Sequence, residues 1–489
     1  MAKARQSQKL AYTAGGMAGG YTAVRSLRNV DGVRGGISGA GEWFQTFDRP
    51  ALLAFSRHFY RNNGLYEGLI NRAAAYIIGT GFRLQARTQD VGWNAAAESL
   101  WNEWWRSPEL KGRQTGRTLQ ISATRELLQT GEIFLLLTNR GLVQHLEAEQ
   151  ICGLAESDNG ITLDKSGRAV KFSVRGWNEN GQANPPVVVN GENVVWTAET
   201  HRPSCIRGVP PLQSSFPMLH RLNDVLDSEA LSWQLLSKIA LSQTVKGEVD
   251  PDTGDPAPYD YNANPLDQVY EGDWAMIFRG QPGDEIRAVD RNIPGKDFPQ
   301  SVRMYLRLVG VPLGLPLEFI LLDWTGGNYS QSRAVMEQAY QQFEQWQERI
   351  SYILDAVYRW KIMEWQSAGL LARNDYWGAH EWFAPTWPWL DQLKEVQAAT
   401  QSIEGGFSTH GEILKKLNKD RAEYLAETER EWISAIETAR RIKEATGVEV
   451  DWKPLAGRVA GKTEQAVNAA NKEPQDVGDG NPEEDGKDA

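Results

Sequence analysis

Two cysteines, six histidines and no apolar run of membrane length are all that 489 residues offer of the features that usually announce a function. Cys152 and Cys205 are too few for a disulfide framework and lack metal-ligand spacing, so a reducing assembly compartment is expected. No apolar run approaches about 18 residues, and the Gly-rich, basic start has no signal-peptide core. A protein neither inserted in a membrane nor exported by a visible route is the expectation. The histidines (His58, His145, His201, His220, His380, His410) are scattered, with no H-x-x-x-H pair on a helix. The glycine clusters at 15–20 and 79–81 do not spell G-x-x-x-x-G-K-[ST], and no strand leads into the first. No metal, cofactor or catalytic residue is therefore expected. Nineteen tryptophans and many acids leave a soluble glycan-acting enzyme as the alternative from another class, because carboxylate separation cannot be read from sequence. Positive charge is also short. With Lys+Arg at 52 against Asp+Glu at 63 the net charge is -11, which argues against a protein that coats nucleic acid with a basic surface.

What is present is patterned. Residues 1–48 form a Gly-, Ser- and Arg-rich stretch that reads as a flexible basic arm, with Lys3, Arg5, Lys9, Arg25, Arg28 and Arg34. From Pro50, "ALLAFSRHFYRNNGLYEGLINRAAAYIIGTGF" has helical periodicity, broken at Asn62-Asn63-Gly64 and ended by Gly79 and Gly81 before an extended "FRLQA". A second helix, "GWNAAAESLWNEWWRSPEL", carries Trp101, Trp104 and Trp105, whose three-four spacing fits core or a subunit interface. Between Gly131 and Trp196 β character dominates. Two strands flank Asn139-Arg140-Gly141, and "PPVVVNGENVVW" reads as a hairpin turning at Asn190-Gly191, so a small antiparallel sheet is predicted.

A long helix then follows Pro217. Leu219, Leu222, Leu226, Trp233, Leu236 and Ala240 keep three-four spacing, and about 28 residues would make a rod of roughly 40 Å. Residues 247–298 hold twelve Asp or Glu against four Arg or Lys, with a strand-like piece near Trp274 to Phe278: a small acidic strand-and-loop excursion. Helix returns to about Val309 and stops at Pro312 and Pro316. After "LDWTGGNYSQSRA", Met336, Ala339, Phe343, Trp346, Ile350, Ile353, Val357 and Trp360 repeat every 3.5 residues, a seam suited either to an internal core or to a contact between copies. Past a Trp/Pro turn come a helix, a turn at Gly405-Gly406 and two more helical stretches to about Ala445. The tail beyond Thr463 has almost no core-forming residues and is expected to be disordered.

Four stretches in order, "RNNGLYEGLINRAAAYIIGTGFRLQA", "RPSCIRGVPPLQ", "LRLVGVPLGLPLEFILLDWTGGNYSQSRA" and "WFAPTWPWLDQLKE", resemble the portal proteins of tailed bacteriophages, specifically the lambda-like group. The resemblance spans roughly residues 45–430 and is most specific at Arg207-Gly208-Val209-Pro210 and at Asn328 to Arg333. It implies a mixed α+β, mainly helical portal fold: a wing at 49–205, a stem helix at 206–246, a clip at 247–297, and a second stem helix and turn at 298–321. A tunnel loop would follow at 322–329, then a long helix and C-terminal wing or crown helices at 330–461, leaving an acidic tail at 462–489. Such chains assemble into a ring, commonly of twelve, at one capsid vertex. DNA is packaged and ejected through its centre without sequence specificity, under a terminase motor that supplies the ATP hydrolysis. The implied partners are the terminase large subunit, the head-tail connector or adaptor, the major capsid protein and a scaffold; no membrane is involved. The implied location is the virion's portal vertex, with assembly in the host cytoplasm. Another head-tail connector ring protein is the alternative within that class.

On that resemblance Trp324, Thr325, Gly326, Gly327 and Asn328 would form the channel loop. Asp250, Asp252 and Asp255 would meet partner proteins from the clip. The basic arm would touch packaged DNA or scaffold, or serve no purpose. An acidic or neutral lumen would let DNA slide, whereas lysines repeated around a ring would act as a brake. Arg207 and Gly208 read as a turn before the stem, with Gly208 free to take positive φ.

Overall fold

The computed structural model describes residues 48–153, 159–243, 252–254, 270–272, 275–279, 297–322, 329–387, 392–417 and 419–456. The chain divides into two compact units, residues 1–390 and 391–489.

The first unit opens with α1 (Arg49–Asn62), which carries Pro50 in its first turn, where a missing N–H costs nothing. Asn63 has an extended backbone and its side chain accepts from Tyr66 N–H at 2.9 Å, so the expected break is also the cap of α2 (Gly64–Ile78). Gly79, at φ 46, ends α2 and releases β1 (Arg83–Ala86). Asp90 caps α3 (Val91–Trp104). The sequence reading passed over α4 (Gly116–Thr130), which is bounded by a Thr115 cap and a left-handed Gly131.

β2 (Glu132–Leu137) and β3 (Val143–Leu146) form the expected hairpin. β4 (Ile161–Leu163), β5 (Ala169–Val174), β6 (Val187–Asn190) and β7 (Val194–Ala198) follow. The predicted β6–β7 hairpin is not formed. A type I′ turn needs positive φ at both central residues, but Asn190 lies at φ -66 and Gly191–Asn193 makes a 3-10 turn. β6 instead pairs with β5 and β7 with β2, so the single predicted sheet is two three-stranded antiparallel sheets, β3-β2-β7 and β4-β5-β6. They share a small core in which Phe134 stacks on Trp196 and meets Phe172 edge-on.

α5 (Phe216–Lys238) is shorter than predicted, because the chain from Ile239 pairs as β8 (Ile239–Gln243) with β10 (Ala275–Arg279). Strand pairing overrides the helical spacing there. With β9 (Tyr270–Gly272) these strands make a three-stranded sheet, β8-β10-β9, in which β9 and β10 belong to the acidic excursion and β8 precedes it. α6 (Phe298–Gly310) ends just before Pro312, and Pro316 precedes α7 (Leu317–Leu321). α8 (Tyr329–Ser367) has 39 residues, about 58 Å at the helical rise. β11 (His380–Phe383), not anticipated, pairs antiparallel with β1.

The seam of α8 is core. Met336, Ala339, Phe343, Ile350, Ile353 and Val357 are buried in the cluster formed with α2, α4 and β2. Trp101 is buried as well, stacked on Trp105 at 4.9 Å and packed against Tyr358 of α8 and Trp382 of β11. No contact between copies is needed to explain either pattern.

The second unit contains α9 (Gln392–Glu404), α10 (His410–Lys416) and α11 (Arg421–Thr446), matching the three predicted stretches. Thr409 and Glu412 form a capping box at α10, and Asp420 caps α11 through the N–H groups of Ala422 and Glu423. Among the described residues no helix is long and apolar enough to cross a membrane.

Candidate functional site

Of the residues singled out from sequence, Arg207 and Gly208 occupy the best-defined site. Arg207 is 2% exposed, and a wholly buried guanidinium must satisfy all its donors. Its Nε donates to Glu132 Oε1 and its Nη2 to Oε2, both at 2.8 Å, a bidentate fork. Nη1 donates to the carbonyls of Ile151 and Asn159, Nη2 to that of Ala148, and the cation lies 5.5 Å from the centre of the Phe134 ring. The turn predicted here therefore exists to deliver a side chain into the seam between the sheets.

Glu132 is fully buried at the first position of β2. Besides Arg207, its carboxylate accepts from Gly208 N–H at 2.7 Å and from Arg49 Nη2 at 2.5 Å, four donors in all. Burial pushes its pKa upward, but the charges of Arg207 and Arg49 and the hydrogen bonds outweigh this, holding the carboxyl below the usual carboxylate range. Arg49 is brought down to about 10 by burial and then by repulsion from Arg207.

Gly208 corrects the sequence reading. It does not take positive φ. What it supplies is room, since a Cβ would lie 2.2 Å from Gly131 O and 2.4 Å from Glu132 Cγ. Gly131 is the left-handed residue, at φ 77, and a Cβ on it would lie 2.2 Å from Val209 O. Two glycines thus let the 207–209 segment cross the α4–β2 turn in backbone contact. Gly131 O accepts from Glu199 N–H, and Glu199 O accepts from Val209 N–H, closing the crossing.

A second ionic cluster adjoins the first. Arg57 of α1 donates to Glu126 Oε1 at 2.6 Å, to Glu149 Oε1 at 2.9 Å and to Gln129 Oε1 at 2.9 Å. Burial opposes the Arg57 cation, and the bonds and charges of Glu149 and Glu126 more than offset it, raising its pKa. Burial pushes the Glu126 carboxyl up despite Arg57. Two arginines around one glutamate and two glutamates around one arginine are each unbalanced, but together they are neutral. The 3-10 turn Ala148–Gln150 is held between them: Ala148 N–H donates to Glu126, and Ala148 O accepts from Arg207.

The junction fixes how α5 leaves the sheets. Seven residues beyond Gly208, Ser215 Oγ donates to Val309 O, tying the entry of α5 to the end of α6. Phe216 packs on Phe59 at 5.4 Å and Tyr66 at 6.0 Å, and Asn63 Nδ2 donates to Asn223 Oδ1. Beyond that footing Leu226, Leu231 and Trp233 of α5 are exposed, as are Met304 and Leu308 of α6.

Trp324, Thr325, Gly326, Gly327 and Asn328 lie outside the described residues, as do Asp250 and Asp255; Asp252 is exposed. Leu322, the first residue of the predicted tunnel loop, takes left-handed φ 56, which costs a non-glycine residue about 1–2 kcal/mol. Sequence reasoning missed Glu132, Arg49 and Gly131. The available signal was a lone acid opening the apolar strand "EIFLLL".

The ionisation of Glu132 sets an expected pH response. A carboxyl held low in the folded state contributes stability fully above its unfolded value of about 4.3, and loses it as pH falls through the lower folded value. Thermal unfolding between pH 7 and pH 3 should show the midpoint falling in the acid range, and less steeply for Glu132→Gln. Equal slopes would place the acid lability elsewhere.

The sequence model described as "Phage portal protein, lambda family" matches residues 31–347. Among solved structures, a chain of the virion of a native gene transfer agent particle is 14% identical, with a TM-score of 0.42, covering 76% of this chain and 93% of that one. A chain from the neck of an empty gene transfer agent particle, computed with C6 symmetry, is 14% identical with a TM-score of 0.45, covering 75% and 93%. An HK97 family phage portal protein from Corynebacterium diphtheriae is 13% identical with a TM-score of 0.29, covering 59% and 81%.

Proposed function

The chain belongs to the lambda family of phage portal proteins, and from that membership we propose that identical copies form a ring, of about twelve, around the path of DNA at the capsid vertex. In this reading residues 49–205 are the wing, 206–246 with α5 and 298–321 with α6 are the stem, 247–297 are the clip, and 322–329 approach the channel. The observation that carries the ring is the α5–α6 pair. It is founded on the Arg207–Glu132 junction, yet it exposes Leu226, Leu231, Trp233 and Met304, which no other described residue covers. A neighbouring copy presenting the same pair would bury that surface.

The clip, with Asp250, Asp252 and Asp255, would meet the terminase large subunit during packaging and the head-tail adaptor afterwards. The wing would meet the major capsid protein and scaffold. DNA would pass without sequence readout, and the hydrolysis that drives it would belong to the terminase. Assembly would take place in the host cytoplasm.

Complementation tests this reading. A phage lacking the chain should yield heads without DNA, and the wild-type gene supplied in trans should restore filled heads. A variant carrying Gly326→Pro and Gly327→Pro should still form rings and should fail to fill heads. DNA-filled heads without the chain would overturn the portal function. Filled heads with the double-proline variant would remove the loop from the mechanism while leaving the ring intact.

A further inference from the structure

An aromatic cluster apart from the ionic junction joins two segments far apart in sequence. Tyr76, near the end of α2, packs edge-on against Phe319 of α7 at 5.1 Å and lies tilted against Phe343 of α8 at 5.8 Å, and Phe319 and Phe343 are almost fully buried. The backbone carbonyl of the same Tyr76 accepts from Trp387 Nε1 at 3.0 Å. Trp387 lies flat on Tyr340 of α8, 4.4 Å apart and 3° from parallel, and touches Phe343 at 6.1 Å. One step along α8, the buried Gln347 spends both amide hydrogens on carbonyls of different segments, Ile77 at 2.9 Å and Pro385 at 3.0 Å. The strap at 384–387 is thus docked by one indole and one amide onto the residues that support α7.

We propose that Tyr76 and Trp387 are positioning residues that couple α7 to the strap at 384–387, so that a displacement of α7 is passed to that strap. Three features favour coupling over two independent contacts. Tyr76 bears on both segments, through its ring and through its carbonyl. Phe343 touches Phe319 on one side and Trp387 on the other. Gln347 of α8 ties the strap and α2 to one amide, through Pro385 O and Ile77 O. α7 also has a second hold on α2, where Arg72 Nη2 donates to Ile320 O. Because its neighbours are close-packed, the cluster has no slack in which a shift of Phe319 could be absorbed.

Coupling free energy is reciprocal, which supplies the test. Hydrogen exchange is followed on the full chain for wild type, Phe319→Leu, Trp387→Phe and the double variant, with Phe172→Leu in the separate sheet core as a control. Phe319→Leu should speed exchange at 380–387 at least fivefold, and Trp387→Phe should speed exchange in α7 by a similar factor. The double variant should be no faster than the faster single one, since both relax the same contact. Phe172→Leu should leave both segments unchanged. If Phe319→Leu affects only α7 and Trp387→Phe only the strap, or if the double variant shows the product of the two factors, the contacts are independent and the proposal fails. The test needs no ring and no DNA, so its outcome is separate from that of the portal function.

Discussion

Arg207→Ala is expected to lower the stability of the first unit by about 3–5 kcal/mol, enough to leave little soluble protein. The cause is what remains: Glu132, fully buried, keeps Arg49 and the Gly208 N–H but loses the bidentate fork. Removing one partner from a buried ion pair costs about that much because the other charge stays behind. Arg207→Lys should recover only part of the loss, since a point charge cannot replace two parallel bonds and three carbonyl contacts. The triple variant Arg49→Met, Glu132→Leu, Arg207→Met should come back towards wild type, because no buried charge is stranded. Chemical denaturation of the set checks this order. Arg207→Ala within about 0.5 kcal/mol of wild type would mean the junction does not support the fold.

Gly208→Val should be as damaging for a different reason. Its Cβ would overlap Gly131 O and Glu132 Cγ, and neither can move without breaking the crossing of the 207–209 segment over the α4–β2 turn. Overpacking of this kind costs about 1–3 kcal/mol, and the Gly208 N–H bond to Glu132 would be lost with it. Gly131→Ala should rank close behind, adding about 1–2 kcal/mol for a left-handed non-glycine residue to the clash with Val209 O. Gly167→Ala, also at positive φ but with nothing near its Cβ, is the control and should cost much less. Soluble yield and unfolding midpoint of the four proteins decide the matter.

The contrast between these two sites shows what the sequence could tell. Regular helices were legible because their signals are local. The Asn63 break, the Gly79 stop, Pro312 and the 3.5-residue seam of α8 each act within a few residues, and each marks what it should. The strands were legible as strands but not in their partners: β6 and β7 look like a hairpin, and only the sheets they join reveal that they part. α4 was missed because its apolar face is interrupted by Gln120, Thr124 and Glu126, buried polar residues of which Gln120 and Glu126 find partners in distant segments while Thr124 bonds back to Gln120 O. Arg207 drew notice through its motif, but its role could not be read there, since Glu132 is 75 residues away. Gly208 looked like a backbone requirement when it is a packing requirement, and sequence cannot distinguish the two.

The central claim is that the exposed α5–α6 pair is covered by another copy in a closed ring. Negative-stain imaging of the purified chain, beside a Trp233→Glu variant, tests it most directly. Trp233 is exposed on α5, so the change should leave the folded chain intact while placing a charge in the contact. The account predicts rings with a central hole for the wild-type protein and few or none for the variant. Uniform monomers in the wild-type sample, or rings equally abundant in both, would contradict it.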